Sequence, residues 1–215
     1  MTSRWPHLLL VLLLVSLASS CAVLPGSKPK SRSSVYLLET QIASLSTGDQ
    51  TGCRVIIVNP PDSAPGQNGA QMLYQRHANQ IERFAFSRWA ASPAVMFEPL
   101  LLDALRASGS YRAVLPSPAP VRGDLRIAND GLWLIQRFEG DRSEIELRMS
   151  SQLYAPAQRQ VVATRDFNYV ESAGDATPAA GVAAAERALE RLLGDFSQFV
   201  ADAVSRLESD CVAEN

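Results

Sequence analysis

Residues Ser143–Tyr154 read SEIELRMSSQLY, and in them Ile145, Leu147 and Met149 alternate with Glu144, Glu146 and Arg148. A period of two is the signature of a strand with one face buried and one in water. Glu144 and Glu146 thus fall together on the wet face and read as a solvated pair, not as an acid/base couple. Strand patterns flank this one on both sides: Asp124–Phe138, interrupted by Asn129-Asp130-Gly131, and Gln160–Tyr169. Turn residues separate the three, so consecutive hairpins are expected.

Two helices accompany these strands. Thr177-Pro178 places a capping hydroxyl before a proline at the first helical position, and the element it opens reaches about Glu208. Along it Val182, Ala185, Leu189, Leu192, Phe196, Phe199, Ala203 and Leu207 step by three and four, with Glu186, Arg187, Glu190, Arg191, Asp202 and Arg206 on the other side. That broad stripe suits a helix lying across a sheet. Ser92-Pro93 repeats the signature and opens a helix to about Ala107, ended by Ser108-Gly109. Pro99 should bend it, or else divide it so that the main helix begins there.

Shorter strands complete the set. Val35–Leu38, Arg54–Val58, Met72–Arg76, Ile81–Phe86 and Tyr111–Leu115 are candidates, with Pro61–Ala70 and Pro116–Pro120 as loops. Val55–Val58 is an unbroken β-branched run, which fits a strand covered on both faces or in the middle of a sheet. In the Ile81–Phe86 strand, alternation puts Phe84 and Phe86 on one face and Arg83 and Ser87 on the other. The expected fold class is α+β: a mostly antiparallel sheet of about seven strands, two main helices on one face, the longer one C-terminal.

The amino terminus sets the compartment. Behind Arg4, Leu8–Leu17 is an apolar run of about ten residues, followed by Ala18-Ser19-Ser20-Cys21. Basic start, short apolar stretch and small residues are the three regions of a secretory signal. As a helix the run spans only about 15 Å, half of the hydrocarbon core, too short for a lasting span. Leu17-Ala18-Ser19-Ser20-Cys21 resembles a bacterial lipobox, which implies acylation of Cys21; the alternative is an ordinary cleaved signal with a coincidental cysteine. Residues 1–20 are then the signal peptide, 21–34 the lipidated cysteine and a Pro/Ser/Lys-rich tether, 35–208 a single α+β domain, and 209–215 a tail. Ala22 stands where such lipoproteins carry Asp when retained at the inner membrane, so the resemblance implies the outer membrane, with the domain in the periplasm.

With Cys21 acylated, Cys53 and Cys211 remain in an oxidising compartment, where an even pair usually bonds; the alternative is two thiols too far apart to meet. The chain has 20 Lys+Arg against 22 Asp+Glu, a net charge of −2. Removing a leader charged only at Arg4 leaves it mildly acidic, which gives no footprint for nucleic acid. Beyond the leader there is one histidine, His77, and no H-E-x-x-H, C-x-x-C, G-x-S-x-G, P-loop or G-x-G-x-x-G pattern. No catalytic residue, metal site or cofactor is therefore expected.

From Met72-Leu73-Tyr74 through Ile81…Phe84, Ser87-Arg88-Trp89-Ala90…Pro93, a Leu-rich helix and Ser108-Gly109-Ser110-Tyr111-Arg112-Ala113-Val114, the order of motifs resembles the auxiliary lipoproteins of ABC-type transport systems. Tyr36-Leu37-Leu38 and the Ala-rich last helix fit as well. The resemblance implies a non-enzymatic component working with an ATPase, a permease and a mammalian-cell-entry (MCE) domain protein that move lipids between the inner and outer membranes. Whether the domain touches phospholipid or forms a homo-oligomer stays open. A structural lipoprotein of another envelope machine, in secretion or outer-membrane assembly, is the rival; a periplasmic hydrolase has too few histidines behind it. Trp89, ending a strand before a capped helix, reads as a packed core corner or, with Arg88, as a surface that meets the MCE protein. Trp133, between Leu132 and Leu134, is an equal candidate for that contact.

Overall fold

The computed structural model describes residues 33–40 and 52–207. Cys21, Cys211 and the leader lie outside them. Among the described residues eight strands form one sheet: β1 (Ser34–Tyr36), β2 (Val55–Val58), β3 (Gln71–His77), β4 (Gln80–Trp89), β5 (Ala113–Pro116), β6 (Leu125–Glu139), β7 (Arg142–Ala155) and β8 (Gln160–Ser172). Helix α1 (Pro93–Ala107) follows β4, and α2 (Pro178–Ser205) follows β8.

The sheet is mixed and curls into a half-barrel, which corrects the mostly antiparallel expectation. Antiparallel pairing is confined to β3–β4, β6–β7 and β7–β8, while β1–β4, β2–β5, β2–β6 and β3–β6 are parallel. The antiparallel pairs are the sequence-adjacent hairpins. The parallel ones join strands far apart in the chain, which turn signals cannot report. Val55–Val58 carries the clue: β2 lies between β5 and β6, and Ile56, Ile57 and Val58 are fully buried.

Both helices pack on the face that carries Ile56, Val58, Leu125, Ile127, Leu134, Ile145 and Leu147, and one apolar cluster joins them. In β7 every odd residue from Ser143 to Ala155 is buried, as the alternation predicts. Helix α1 is continuous through Pro99, which is exposed next to the exposed Val95, whose carbonyl loses its helical partner there. Thr177 caps α2 by accepting from the Ala180 N–H at 3.2 Å, whereas Ser92 makes no side-chain cap. In β4 the register slips against β3, so Phe84 packs on the core while Phe86 is 57% exposed. A bulge thus separates two phenylalanines that strict alternation would keep together.

Polar clasps fix α2 to the sheet. Gln136, 2% exposed, donates to Ser143 Oγ at 2.9 Å and to the Thr177 carbonyl at 3.1 Å. Farther along, the Tyr169 hydroxyl donates to the Asp195 carboxylate at 2.5 Å. Burial, reinforced by that carboxylate, holds the Tyr169 pKa well above its ordinary value, so the group remains a donor.

Gly181 and Gly194, both in α2, test this packing. A Cβ on Gly181 would stand 2.3 Å from Gln136 Oε1, and Gln136 is held by its own hydrogen bonds; a Cβ on Gly194 meets nothing within 4 Å. Gly181→Ala should lower stability by about 1–3 kcal/mol through overpacking, and Gly194→Ala should raise it by up to about 1 kcal/mol through helix propensity. Urea unfolding of the two variants reads both signs.

Candidate partner-binding face

Because the odd residues of β7 face the helices, its even residues face away, and none of the described helices covers that side. Register with β6 then decides what stands together there. Arg148 pairs with Trp133, Glu146 with Ile135 and Glu144 with Arg137. The Arg148 guanidinium lies 5.1 Å from the centre of the Trp133 ring and its Nε sits 3.3 Å from Glu146 Oε1. Arg137 reaches the other Glu146 oxygen at 3.6 Å and Glu144 at 4.0 Å. Glu144 and Glu146 are therefore rungs of a charge ladder that ends on an aromatic ring. Glu146 is the least exposed member, at 15% of its side chain. With Arg137 and Arg148 about half exposed, each pair stabilises little on its own, so the ladder mainly fixes side-chain directions.

Trp133 is half-buried, and its Nε1 is buried without a hydrogen-bond partner. With Ala64, Asp130, Arg148, Ser150 and Asp166 it lines an open hollow of about 440 Å³. An indole N–H left unpaired carries a desolvation cost, so this edge of the hollow is not optimised for the isolated chain.

The other residues singled out from sequence separate. Arg88 is exposed on β4, opposite Val35 of β1. Trp89, its neighbour, is 3% exposed, belongs to the core and pairs with Tyr36 across the strands. The structure thus brings Arg88 and Trp133 to the helix-free side and takes Trp89 inward. Cys53 is exposed and is not free, and Cys21 and Cys211 fall outside the described residues. His77 is exposed at the end of β3, and among the described residues no group of three or more His, Cys, Asp or Glu could hold a metal. Arg148 is the contributor that sequence reading left out. Its place on the wet face was legible, but its seat over Trp133 needs the β6–β7 register, which the Asp130–Trp133 bulge shifts.

Residues 36–196 match the family model of the ABC-type transport auxiliary lipoprotein component. The chain belongs to this family. Its fold is similar to the crystal structure of protein XCC0632 from Xanthomonas campestris, with a TM-score of 0.70 and 18% identity over 82% of this chain and 99% of that one. A second crystal structure, of an uncharacterized protein, aligns with a TM-score of 0.58 at 14% identity, over 79% of this chain and 99% of that one. At such identities the likeness speaks to fold alone. No curated protein matches the chain. Family membership makes this an auxiliary lipoprotein of an ABC-type transport system in the cell envelope.

Removing the cation over the indole isolates its contribution. Arg148→Ala should cost about 0.5–1 kcal/mol in denaturant unfolding and raise acrylamide quenching of tryptophan fluorescence, because Trp133 loses its lid. Arg148→Lys should recover part of both.

Proposed function

We propose that this chain is a lipid-anchored, non-enzymatic accessory of an MCE-linked ABC transporter that moves lipid between the inner and outer membranes. The carrying observation is the family match across residues 36–196, which supplies the transport context. The lipobox-like Leu17–Cys21 supports acylation of Cys21, and Ala22 after it supports residence in the outer membrane, facing the periplasm. The helix-free sheet face supports a docking role. Arg88 and Trp133 are of the residue types favoured as interface anchors, and they become the contacts offered to the MCE protein.

The same reading includes a bond between Cys53 and Cys211. Arg54, next to Cys53, donates through Nη2 to the Leu207 carbonyl at 3.0 Å, which brings the end of the last helical region to the start of β2. Cys211 follows only four residues later, a reach of up to about 14 Å. Cys53 is already engaged. Acylation of Cys21 leaves Cys211 as its partner in the chain.

Co-isolation from crosslinked membranes tests the assignment. The wild-type chain should retain an MCE-domain protein, and Arg88→Glu or Trp133→Ala should reduce that retention by roughly tenfold or more. A wild-type chain that retains no MCE protein, but brings down secretion or barrel-assembly components, points instead to another envelope machine. Cys21→Ala should move the protein from the membrane pellet to the soluble fraction; persistence in the pellet rejects the anchor. For the disulfide, peptide mapping without reductant should recover Cys53 joined to Cys211, and Cys53→Ser should lower stability by about 2–4 kcal/mol.

A further inference from the structure

Four of the eight large apolar side chains exposed among the described residues lie in or directly after two neighbouring strands. They are Val35 (52%) in β1, Leu37 (53%) just past its end, and Ile81 and Phe86 (41% and 57%) on β4. The parallel register, Ser34 opposite Ser87 and Val35 opposite Arg88, places Phe86, Arg88 and Val35 on the same side, away from the buried Trp89 and Tyr36 pair. Arg83 and Arg88 are exposed beside them, and neither has an ion-pair partner among the described residues. An edge strand showing apolar side chains to water invites pairing with other chains unless something covers it.

Chain length says what is at hand to cover it. Only residues 21–32 separate Cys21 from the first described residue, Ser33, and they include Lys28, Lys30 and Arg32. Twelve residues reach at most about 43 Å and average roughly 20 Å when flexible. An acylated Cys21 therefore keeps the beginning of β1 within that distance of the bilayer. Apolar side chains with Arg83 and Arg88 beside them, joined to a basic tether, match the chemistry of an anionic membrane interface, with Glu39 the exposed carboxylate that follows Leu37.

We infer that Val35, Leu37 and Phe86 enter the headgroup region of the bilayer that holds the anchor, with Arg83 beside lipid phosphates. The domain then rests on the membrane by its β1–β4 edge instead of swinging on the tether, and Arg88 stands at the border with the partner face around Trp133. This rests on acylation of Cys21 and adds an orientation to it.

The test uses the acylated full-length protein in vesicles of phosphatidylethanolamine and phosphatidylglycerol, a fraction of whose acyl chains are brominated. Phe86→Trp should add fluorescence that brominated lipid quenches roughly threefold more than it quenches the indole introduced by Val161→Trp, on exposed β8. Equal quenching at the two positions, or none at position 86, overturns the inference. So does a Leu37→Glu change that breaks up an oligomer in detergent while position 86 stays unquenched, since the edge then belongs to a second copy. Mass spectrometry of the mature amino terminus separates the layers. An unmodified Cys21 removes the anchor and the orientation together, whereas an acylated Cys21 with an unquenched position 86 removes the orientation alone.

Discussion

β6 lends one of its edges to two strands in succession, and the rest of the sheet is arranged around that sharing. Its first residues, Leu125–Ile127, pair with β2, and its later ones, Gln136 and Arg137, pair with β3. Between them the chain from Asn59 to Ala64 keeps hydrogen-bonding to β6, through Asp62 N–H to the Asn129 carbonyl at 2.8 Å and Ala64 N–H to the Leu132 carbonyl at 2.9 Å. Leu132 N–H returns a bond to Asp62 at 2.9 Å. A proline-rich loop is thus held in place as a third, irregular partner of the same edge. Gly131, at φ +67°, supplies the left-handed residue that the bulge requires. Beneath it Ser151 Oγ bonds Asn129 Oδ1 at 2.6 Å and Asn129 Nδ2 donates to the Asn59 carbonyl at 3.2 Å. Asn129 and Ser151 are essentially buried, so these bonds are insulated from water and expensive to leave unmade.

This arrangement explains what could and could not be read from the residues. The alternation of Ile145, Leu147 and Met149 with charged neighbours locates the faces of β7 because it depends only on pleat geometry. Cap-then-proline at Thr177-Pro178 and Ser92-Pro93 locates the helix starts for an equally local reason. Strand order is not local. Asn129-Asp130-Gly131 reads as an interruption of one strand, and it is a bulge beside which the 59–64 segment bonds to that strand. Hairpin logic therefore assigns β6–β7 and β7–β8 correctly and overlooks every parallel neighbour. The uninterrupted Val55–Val58 run was the one residue-level sign of a two-sided strand, and it does not say which strands flank it.

The same distinction governs the candidate face. Trp89 and Trp133 look alike from sequence, each a tryptophan in an apolar strand. Trp89 goes inward because it stands on the helix side of the sheet, opposite Tyr36 and immediately before the turn into α1; Trp133 stays half-open because it stands on the side that the described helices do not cover, with Arg148 over its ring. That Glu144 and Glu146 point away from the helices was legible from alternation; that Glu146 keeps only 15% of its side chain exposed was not. Their bracketing by Arg137 and Arg148 was not, since it depends on which β6 residue stands opposite each of them.

In the proposed arrangement the membrane edge and Trp133 draw on different parts of this sheet, and Arg88, opposite Val35 on β4, stands between them. β1 is the last strand on the β4 side, reached directly from residues 21–32, whereas Trp133 and Arg148 lie on β6 and β7, beyond β4 and β3. At about 4.8 Å per strand, Trp133 sits on the order of 15 Å from the β1 edge, farther still from the end of an extended tether. A curled sheet turns its centre away from the direction of its edge, so an edge resting on a bilayer need not bury the face around Trp133. The two helices on the opposite side then act as ballast for the curl: α1 contacts β5 and β6, α2 contacts β7 and β8, and each touches the other. In that proposed arrangement the strands inserted along β6 set the spacing between the membrane edge and the face around Trp133.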